Sequence, residues 1–114
     1  MQTTSVTPGK RADERVRVKM PTAVFSHHFF APVEVECTDL SVSGMFVAAD
    51  LLLGAGERVL VAFMVPGTWH RILIDAEVVR SSEGPSPGMG LRFDRIPSFD
   101  ADILRGAMYR RLAS

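Results

Sequence analysis

One stretch near the middle of the chain decides the fold, and it reads Val33-Glu34-Val35-Glu36-Cys37-Thr38-Asp39-Leu40-Ser41-Val42-Ser43-Gly44-Met45-Phe46-Val47-Ala48-Ala49. Apolar and polar residues alternate in its first part, which is typical of a half-buried strand, and a second apolar run ends it. Small polar residues and a glycine stand between the two runs, where the chain must reverse. The stretch therefore predicts two antiparallel strands joined by a turn at 39–44.

The same kind of pattern recurs on both sides of this hairpin. Further strands are predicted at 15–20, 58–65, 71–80 and 89–93. Proline cannot donate to a ladder, so Pro21 is expected to bend or end the first of these strands. The turn 66–69 joins two of them into a hairpin, and Trp69 near its tip is expected to shield the core from the rim.

After Pro97 the apolar period changes to that of a helix. In the segment 98–112 one face carries Phe99, Ile103, Leu104, Ala107 and Met108. Acidic residues occupy its first turn and arginines its last, as the helix dipole favours. About six short strands followed by one helix predict an all-β fold, a six-stranded antiparallel β-barrel with a C-terminal α-helix, because closing the sheet removes its edges.

The composition is that of one globular domain. The chain has 114 residues, of which 46% are hydrophobic and 23% charged, which is enough for one core and too little for two. Residues 1–9 are polar and end at the breaker Pro8-Gly9. We expect them to form a flexible N-terminal arm and residues 10–114 to form the domain.

Charge and hydropathy exclude several classes of partner. The formal net charge is +0 at pH 7, so nucleic acid polymers and anionic membranes have no overall attraction to the chain. No apolar run approaches the roughly 20 residues of a membrane span, and the N-terminus has no secretory signal pattern. A single cysteine, Cys37, excludes an internal disulfide. We therefore expect a cytoplasmic protein without membrane insertion.

The sequence offers no catalytic residues. It contains no Gly-x-Ser-x-Gly, no phosphate-binding Gly-x-x-x-x-Gly-Lys and no Cys-x-x-Cys, and Cys37 lies within an alternating strand. The pair His27-His28 suggests a metal site, but adjacent residues of a strand point to opposite faces, and the only other histidine is His70. We interpret the pair as part of a solvated connection. The prediction is a protein that is not an enzyme and has no metal and no cofactor.

Two short motifs remain, and both suit an anionic ligand. Arg11 and Arg15 precede the first strand, where the first nineteen residues carry five basic and two acidic side chains, a formal charge of +3 (5 − 2). Asp39, Ser41 and Gly44 lie in the central turn and offer a carboxylate, a hydroxyl and a place for close approach. Each motif is weak alone, but their order is informative.

That order, Arg-x-x-x-Arg followed by Asp-x-Ser-x-x-Gly and then by the segments 76–80 and 88–93, resembles the PilZ domain, a bacterial receptor module for cyclic di-GMP. The resemblance runs from about Lys10 to the end of the chain. It implies a six-stranded antiparallel barrel with a C-terminal helix, in agreement with the periodicity. It also implies a role in the control of motility, pili or biofilm through an unidentified downstream protein.

The resemblance implies that cyclic di-GMP is bound by Arg11, Arg15, Asp39, Ser41 and Gly44. The arginines would hold the phosphates and the guanine edges, since guanidinium is planar, always charged and able to stack on a base. Asp39 and Ser41 would hydrogen-bond a guanine, and Gly44 would leave space for it. We expect an affinity near micromolar and closure of the arm as the signal.

An alternative is a ligand-independent adaptor of the same fold. The chain has Lys10-Arg11 where many members of the family have two arginines, and Asp13 and Glu14 partly offset the motif arginines. In this alternative Trp69, the loop 51–53 or the helix surface docks a protein partner.

Overall fold

The barrel predicted from periodicity is present. A computed structural model describes residues 14–50 and 53–113. Its elements are β1 (Val16–Phe25), β2 (Val33–Leu40), β3 (Gly44–Ala48), β4 (Arg58–Met64), β5 (Arg71–Ser82), β6 (Gly88–Phe93) and the helix α1 (Ser98–Ala113). The strands close in the order β1-β2-β3-β6-β5-β4, and every neighbouring pair is antiparallel. None of the helices among the described residues is long and apolar enough to span a membrane.

Alternation along the strands builds the core. Every strand contributes inward-facing apolar side chains, among them Val24, Leu40, Val47, Val61, Ile72 and Leu91. The helix adds Leu104, Ala107 and Met108 to the same cluster. The outward-facing residues of β4, which the sequence shows as apolar, are half-buried. Burial of these side chains, each worth about 1.5 to 3 kcal/mol, stabilises the barrel together with its helix.

The first strand continues through Pro21 to Phe25 and does not end at the proline. Pro21 is exposed and lies opposite Glu36 of β2. Pairing of β1 with β4 begins only at Thr22. The proline therefore lies at the end of that ladder, where a missing N–H disrupts least.

Two aromatic residues that the pattern placed against the core are exposed. Trp69, expected to shield the rim, has an exposed fraction of 93%, and Phe99, assigned to the apolar face of the helix, has 69%. The buried face of α1 is centred instead on Leu104 and Met108. Phe99 contacts His70 edge-on, with ring centroids 5.5 Å apart. Both expectations were wrong. The helical period identifies an apolar face of α1, but it does not show which end of that face packs against the barrel.

Candidate ligand-binding site

The turn between β2 and β3 is held together by the hydroxyl of Ser41. This side chain is fully buried. Its Oγ accepts hydrogen bonds from the backbone N–H groups of Ser43, at 3.2 Å, and of Gly44, at 3.1 Å. The backbone N–H of Ser41 donates to the carbonyl oxygen of Gly44 at 2.9 Å, which closes the turn. Ser41 thus supplies an acceptor to the buried amide of Gly44 and to the half-buried amide of Ser43.

Gly44 is fixed by close packing of β3 against β6. A Cβ at this position would overlap the backbone carbonyl oxygen of Leu91. Backbone cannot yield as the end of a flexible side chain can, so the position requires glycine whether or not a ligand is present. In this geometry Ser41 and Gly44 set the shape of the turn.

Asp39 reaches the outer surface because of a bulge. The alternation of Val35 and Cys37 would place Asp39 inside the barrel. The ladder between β2 and β3 shifts register between Cys37 and Asp39, and Leu40 takes the inward position. An extra residue at such a shift reverses which side chains face outward. The side chain of Asp39 is 32% exposed, and Arg17 Nε lies 3.6 Å from its Oδ1.

A row of directly paired residues crosses five strands at this level of the barrel. The row runs Arg17, Asp39, Phe46, Gly90, Arg80. Gly90 has no side chain, so Arg80 extends across it, with its guanidinium carbon 5.6 Å from the centroid of the Phe46 ring. A Cβ at Gly90 would lie 3.1 Å from Cγ and Nε of Arg80. The glycine therefore lets the cation and the ring meet on the surface.

An open groove of about 460 Å³ lies beside this row. Its lining includes Arg15, Gly44, Phe46, Arg80, Gly90 and Arg92. Arg92 is paired with Glu77 at 2.7 Å. Arg15 and Arg80 have no carboxylate partner within the described ranges 14–50 and 53–113. Unpaired guanidinium groups at the rim of a groove favour an anionic occupant.

The structure brings together some of the predicted site residues. Arg15 and Gly44 line the groove, and Asp39 lies in the adjoining row. Ser41 lies under the turn, where its hydroxyl is occupied by backbone. Arg11 falls outside the described residues.

Sequence reasoning missed Phe46 and Arg80. Their segments are only recognisable as strands, and neither side chain stands out in the chain order. The available signal was Gly90 inside a strand, which indicates a bulge or close approach but not what approaches. The register connects Gly90 to both neighbours.

Cys37 is not available as a nucleophile. Its thiol is fully buried and donates to the carbonyl oxygen of Asp39 at 3.2 Å. Burial raises the pKa of the Cys37 thiol to about 12. The group is therefore a neutral thiol at physiological pH, and thiols react as thiolates.

Comparison with known families and structures identifies the architecture. The sequence profile of the family described as PilZ domain matches residues 9–110. A comparison with curated protein sequences gives no match.

Three solved structures are similar to the chain. The inhibitor of motility MotI/DgrA from Bacillus subtilis has a TM-score of 0.78 at 22% identity, over 91% of this chain and 51% of its own, so the chain spans about half the length of MotI. The PilZ domain of YcgR from Escherichia coli, with c-di-GMP, has a TM-score of 0.71 at 16% identity, over 91% and 92%. The PilZ domain of CeSA from a cellulose-synthesizing bacterium has a TM-score of 0.61 at 16% identity, over 89% and 99%. Identities this low establish a shared fold.

Proposed function

Because the chain belongs to the PilZ domain family, we propose that it is a non-catalytic, cytoplasmic receptor for cyclic di-GMP that passes its signal to a downstream protein. Residues 1–9 form the arm and residues 10–114 the receptor domain. The site consists of Arg11, Arg15, Asp39, Ser41 and Gly44, in which Arg11, Arg15 and Asp39 contact the ligand and Ser41 and Gly44 hold the turn beside them. The controlled process is motility, pili or biofilm formation; similarity to an inhibitor of motility supports this choice.

The observation that carries the proposal is the groove itself. Arg15 and Arg80 present cationic groups without carboxylate partners among the described residues, next to the partly exposed carboxylate of Asp39. A cyclic dinucleotide has two phosphates and two guanines. Guanidinium binds the phosphates, and a carboxylate accepts from guanine N–H groups more strongly than a neutral side chain does.

Phe46 and Arg80 extend the predicted site. The ring and the guanidinium plane lie on the surface beside the groove. Both kinds of group stack on purines. We assign them to contact with a base, while the phosphates face Arg15.

Asp39 exchanges partners when the ligand enters. Its present partner Arg17 is 89% exposed, and the atoms are 3.6 Å apart. A surface ion pair of this kind contributes little. A guanine therefore displaces Arg17 from Asp39 at small cost, and Arg17 remains near the anionic ligand.

Closure of the arm limits the affinity. Ordering about six residues costs roughly 6 to 12 kcal/mol of backbone entropy, while each charge-assisted hydrogen bond returns about 1.5 to 3 kcal/mol. Two arginines do not close the arm without stacking and the contact to Asp39. We expect a dissociation constant near micromolar, and a closed arm that the partner recognises.

Calorimetric titration with cyclic di-GMP tests the proposal. Arg15→Ala should weaken binding by about 1.5 to 3 kcal/mol, roughly 10- to 150-fold, because a charged hydrogen-bond donor is lost. Arg71→Ala is the matched control, since Arg71 is exposed at the other end of β5 from Arg80. Equal affinities of the wild type and Arg15→Ala would contradict the proposal.

The exposure of Trp69 favours a second candidate, a ligand-independent adaptor of the same fold. An indole with 93% of its surface exposed provides an anchor for a protein partner. In this case a complex isolated from cells survives Arg15→Ala and removal of the nucleotide, but is lost in Trp69→Ala. The receptor proposal gives the opposite result for Arg15→Ala.

A further inference from the structure

A cluster of metal-ligating side chains lies at the other end of the β1–β2 pair from the nucleotide groove. The groove end is marked by the pair Val16 and Leu40, and the far end by the pair Val24 and Val33. Beyond that far end, ligand atoms of His27, His28 and Glu57 all lie within 4.8 Å of one another. We propose that these three side chains bind one divalent ion of the zinc class, with water completing the coordination.

The histidine pair lies in a connection, as the sequence predicted, so the argument from strand geometry against a shared ion does not apply. His27 and His28 lie in a turn rather than in a strand. Their rings lie side by side, with centroids 4.0 Å apart and planes tilted by 36°. Adjacent residues of a turn can point to the same side, and these do, so both imidazoles are available to a single ion.

The turn that carries the histidines is fixed by backbone contacts. The N–H of His28 donates to Ser26 Oγ at 3.1 Å, and the N–H of Phe29 donates to the carbonyl oxygen of Ser26 at 3.0 Å. These bonds fix the backbone of the turn that carries the two rings without help from an ion. The ligands are therefore partly preorganised, which reduces the entropic cost of binding.

Glu57 approaches from a different segment and is also fixed. Its N–H donates to the carbonyl oxygen of Gly54 at 3.2 Å, and its carbonyl oxygen accepts from the N–H of Val78 at 2.9 Å. Its carboxylate Oε1 lies 2.9 Å from Nε2 of His28. The cluster thus joins the β1–β2 connection to the residue before β4.

The donor set selects the ion. Two imidazole nitrogens and one carboxylate oxygen suit zinc and its neighbours, whereas calcium and magnesium require oxygen ligands. Ligand bonds of about 2.0 to 2.2 Å in a tetrahedral site place the donors roughly 3.3 to 3.6 Å apart. Separations within 4.8 Å are brought to that range by side-chain rotation. Both histidines are exposed, so an ion has access.

The neighbouring cation does not prevent binding. Arg58 follows Glu57 directly, but its guanidinium is paired with Asp94, with Nη2 2.8 Å from Oδ2. The positive charge of Arg58 is thus already balanced by a carboxylate outside the cluster.

Binding would add metal bonds between two segments that the barrel links through β1 and β4 and that already meet at His28 and Glu57. An ion that binds only the folded state raises the free energy of unfolding by RT ln(1 + [L]/Kd), where [L] is the free ion concentration, so the stabilisation grows with the logarithm of that concentration. The site is therefore a stabilising clamp. It is separate from the nucleotide groove, which shares none of its ligands.

The test is titration of untagged full-length protein with Zn²⁺, followed by calorimetry, together with the absorption spectrum of the Co²⁺-substituted protein. We expect one saturable site and cobalt bands of tetrahedral intensity. His27→Ala, His28→Ala and Glu57→Gln should each weaken binding more than the roughly tenfold that loss of an outer partner costs. His70→Ala is the matched control, because His70 is bound to Asp100 at 2.6 Å elsewhere.

Two further measurements complete the test. Zn²⁺ should raise the thermal midpoint of the wild type and of His70→Ala but not that of His27→Ala. The affinity for cyclic di-GMP should be the same in His27→Ala and in the wild type, so that this proposal and the receptor proposal fail independently. Absence of saturable Zn²⁺ binding, or binding retained in His27→Ala or lost in His70→Ala, would overturn the proposed site.

Discussion

The turn at 41–44 and the rim of the adjoining groove carry residues of the same two motifs but have different physical roles. Ser41 and Gly44 are buried, and each is explained by backbone alone, through hydrogen bonds to amides in one case and the closeness of Leu91 in the other. Arg15 and Asp39 are at the surface, and the barrel does not need their charges. The motif therefore encodes both a fold and a site.

This difference separates retention of the fold from retention of binding. A chain that keeps the serine and the glycine keeps the turn whether or not it binds a nucleotide. Of the two regions, only the surface charges at the rim indicate whether a chain binds the ligand. Substitutions in the two regions should accordingly change different quantities, the free energy of unfolding in the turn and the affinity for cyclic di-GMP at the rim.

The largest effect is expected from Gly44→Ala. The new methyl group overlaps the carbonyl oxygen of Leu91, so β3 and β6 must separate locally. Overpacking against backbone should lower the free energy of unfolding by about 3 kcal/mol. Urea denaturation measures it, with Gly54→Ala as control, because a Cβ at Gly54 meets nothing within 4 Å. Equal stability of the two variants would mean that Gly44 serves the ligand instead.

Ser41→Ala should have the next largest effect. The substitution removes the hydroxyl that accepts from the buried N–H of Gly44 and from the N–H of Ser43. An unsatisfied buried group costs about 1 to 3 kcal/mol, and we expect a loss of about 2 kcal/mol in the free energy of unfolding. Affinity for cyclic di-GMP, corrected for the folded fraction, should stay within twofold of the wild type. A large loss of affinity at unchanged stability would instead assign Ser41 to the ligand.

The fold was predictable because alternation and turn composition act locally. Strand periods and the helical period after Pro97 gave the barrel and its helix, and the closed barrel confirmed them. The outward position of Asp39 was not predictable, since it depends on the register shift between Cys37 and Asp39 in the ladder that β2 forms with β3. The meeting of Phe46 and Arg80 across Gly90 depends likewise on register, which single residues do not reveal.

The exposed aromatics and the histidine pair show a second limit of sequence reasoning. Trp69 and Phe99 have the chemistry of core residues, and their exposure depends on where the hairpin and the helix end relative to the barrel. His27 and His28 share a side because a turn, not a strand, carries them. For the two aromatics the tertiary placement overrides the local pattern, whereas the histidines lie in a connection, as the sequence predicted.

The smallest effect is expected from Asp39→Asn. This variant is also the most direct test of the difference between the buried turn and the groove rim. The variant keeps the shape and one acceptor oxygen but loses the charge that strengthens a hydrogen bond to guanine, so affinity should fall by about 1 kcal/mol, roughly fivefold. Its ion pair with Arg17 is exposed, with atoms 3.6 Å apart, and removing it should change the free energy of unfolding by less than about 0.5 kcal/mol. Calorimetric titration and urea denaturation of the same sample measure both quantities. A loss of stability like that of Ser41→Ala, with affinity unchanged, would place Asp39 with the structural residues and leave Arg15 as the described part of the receptor motif.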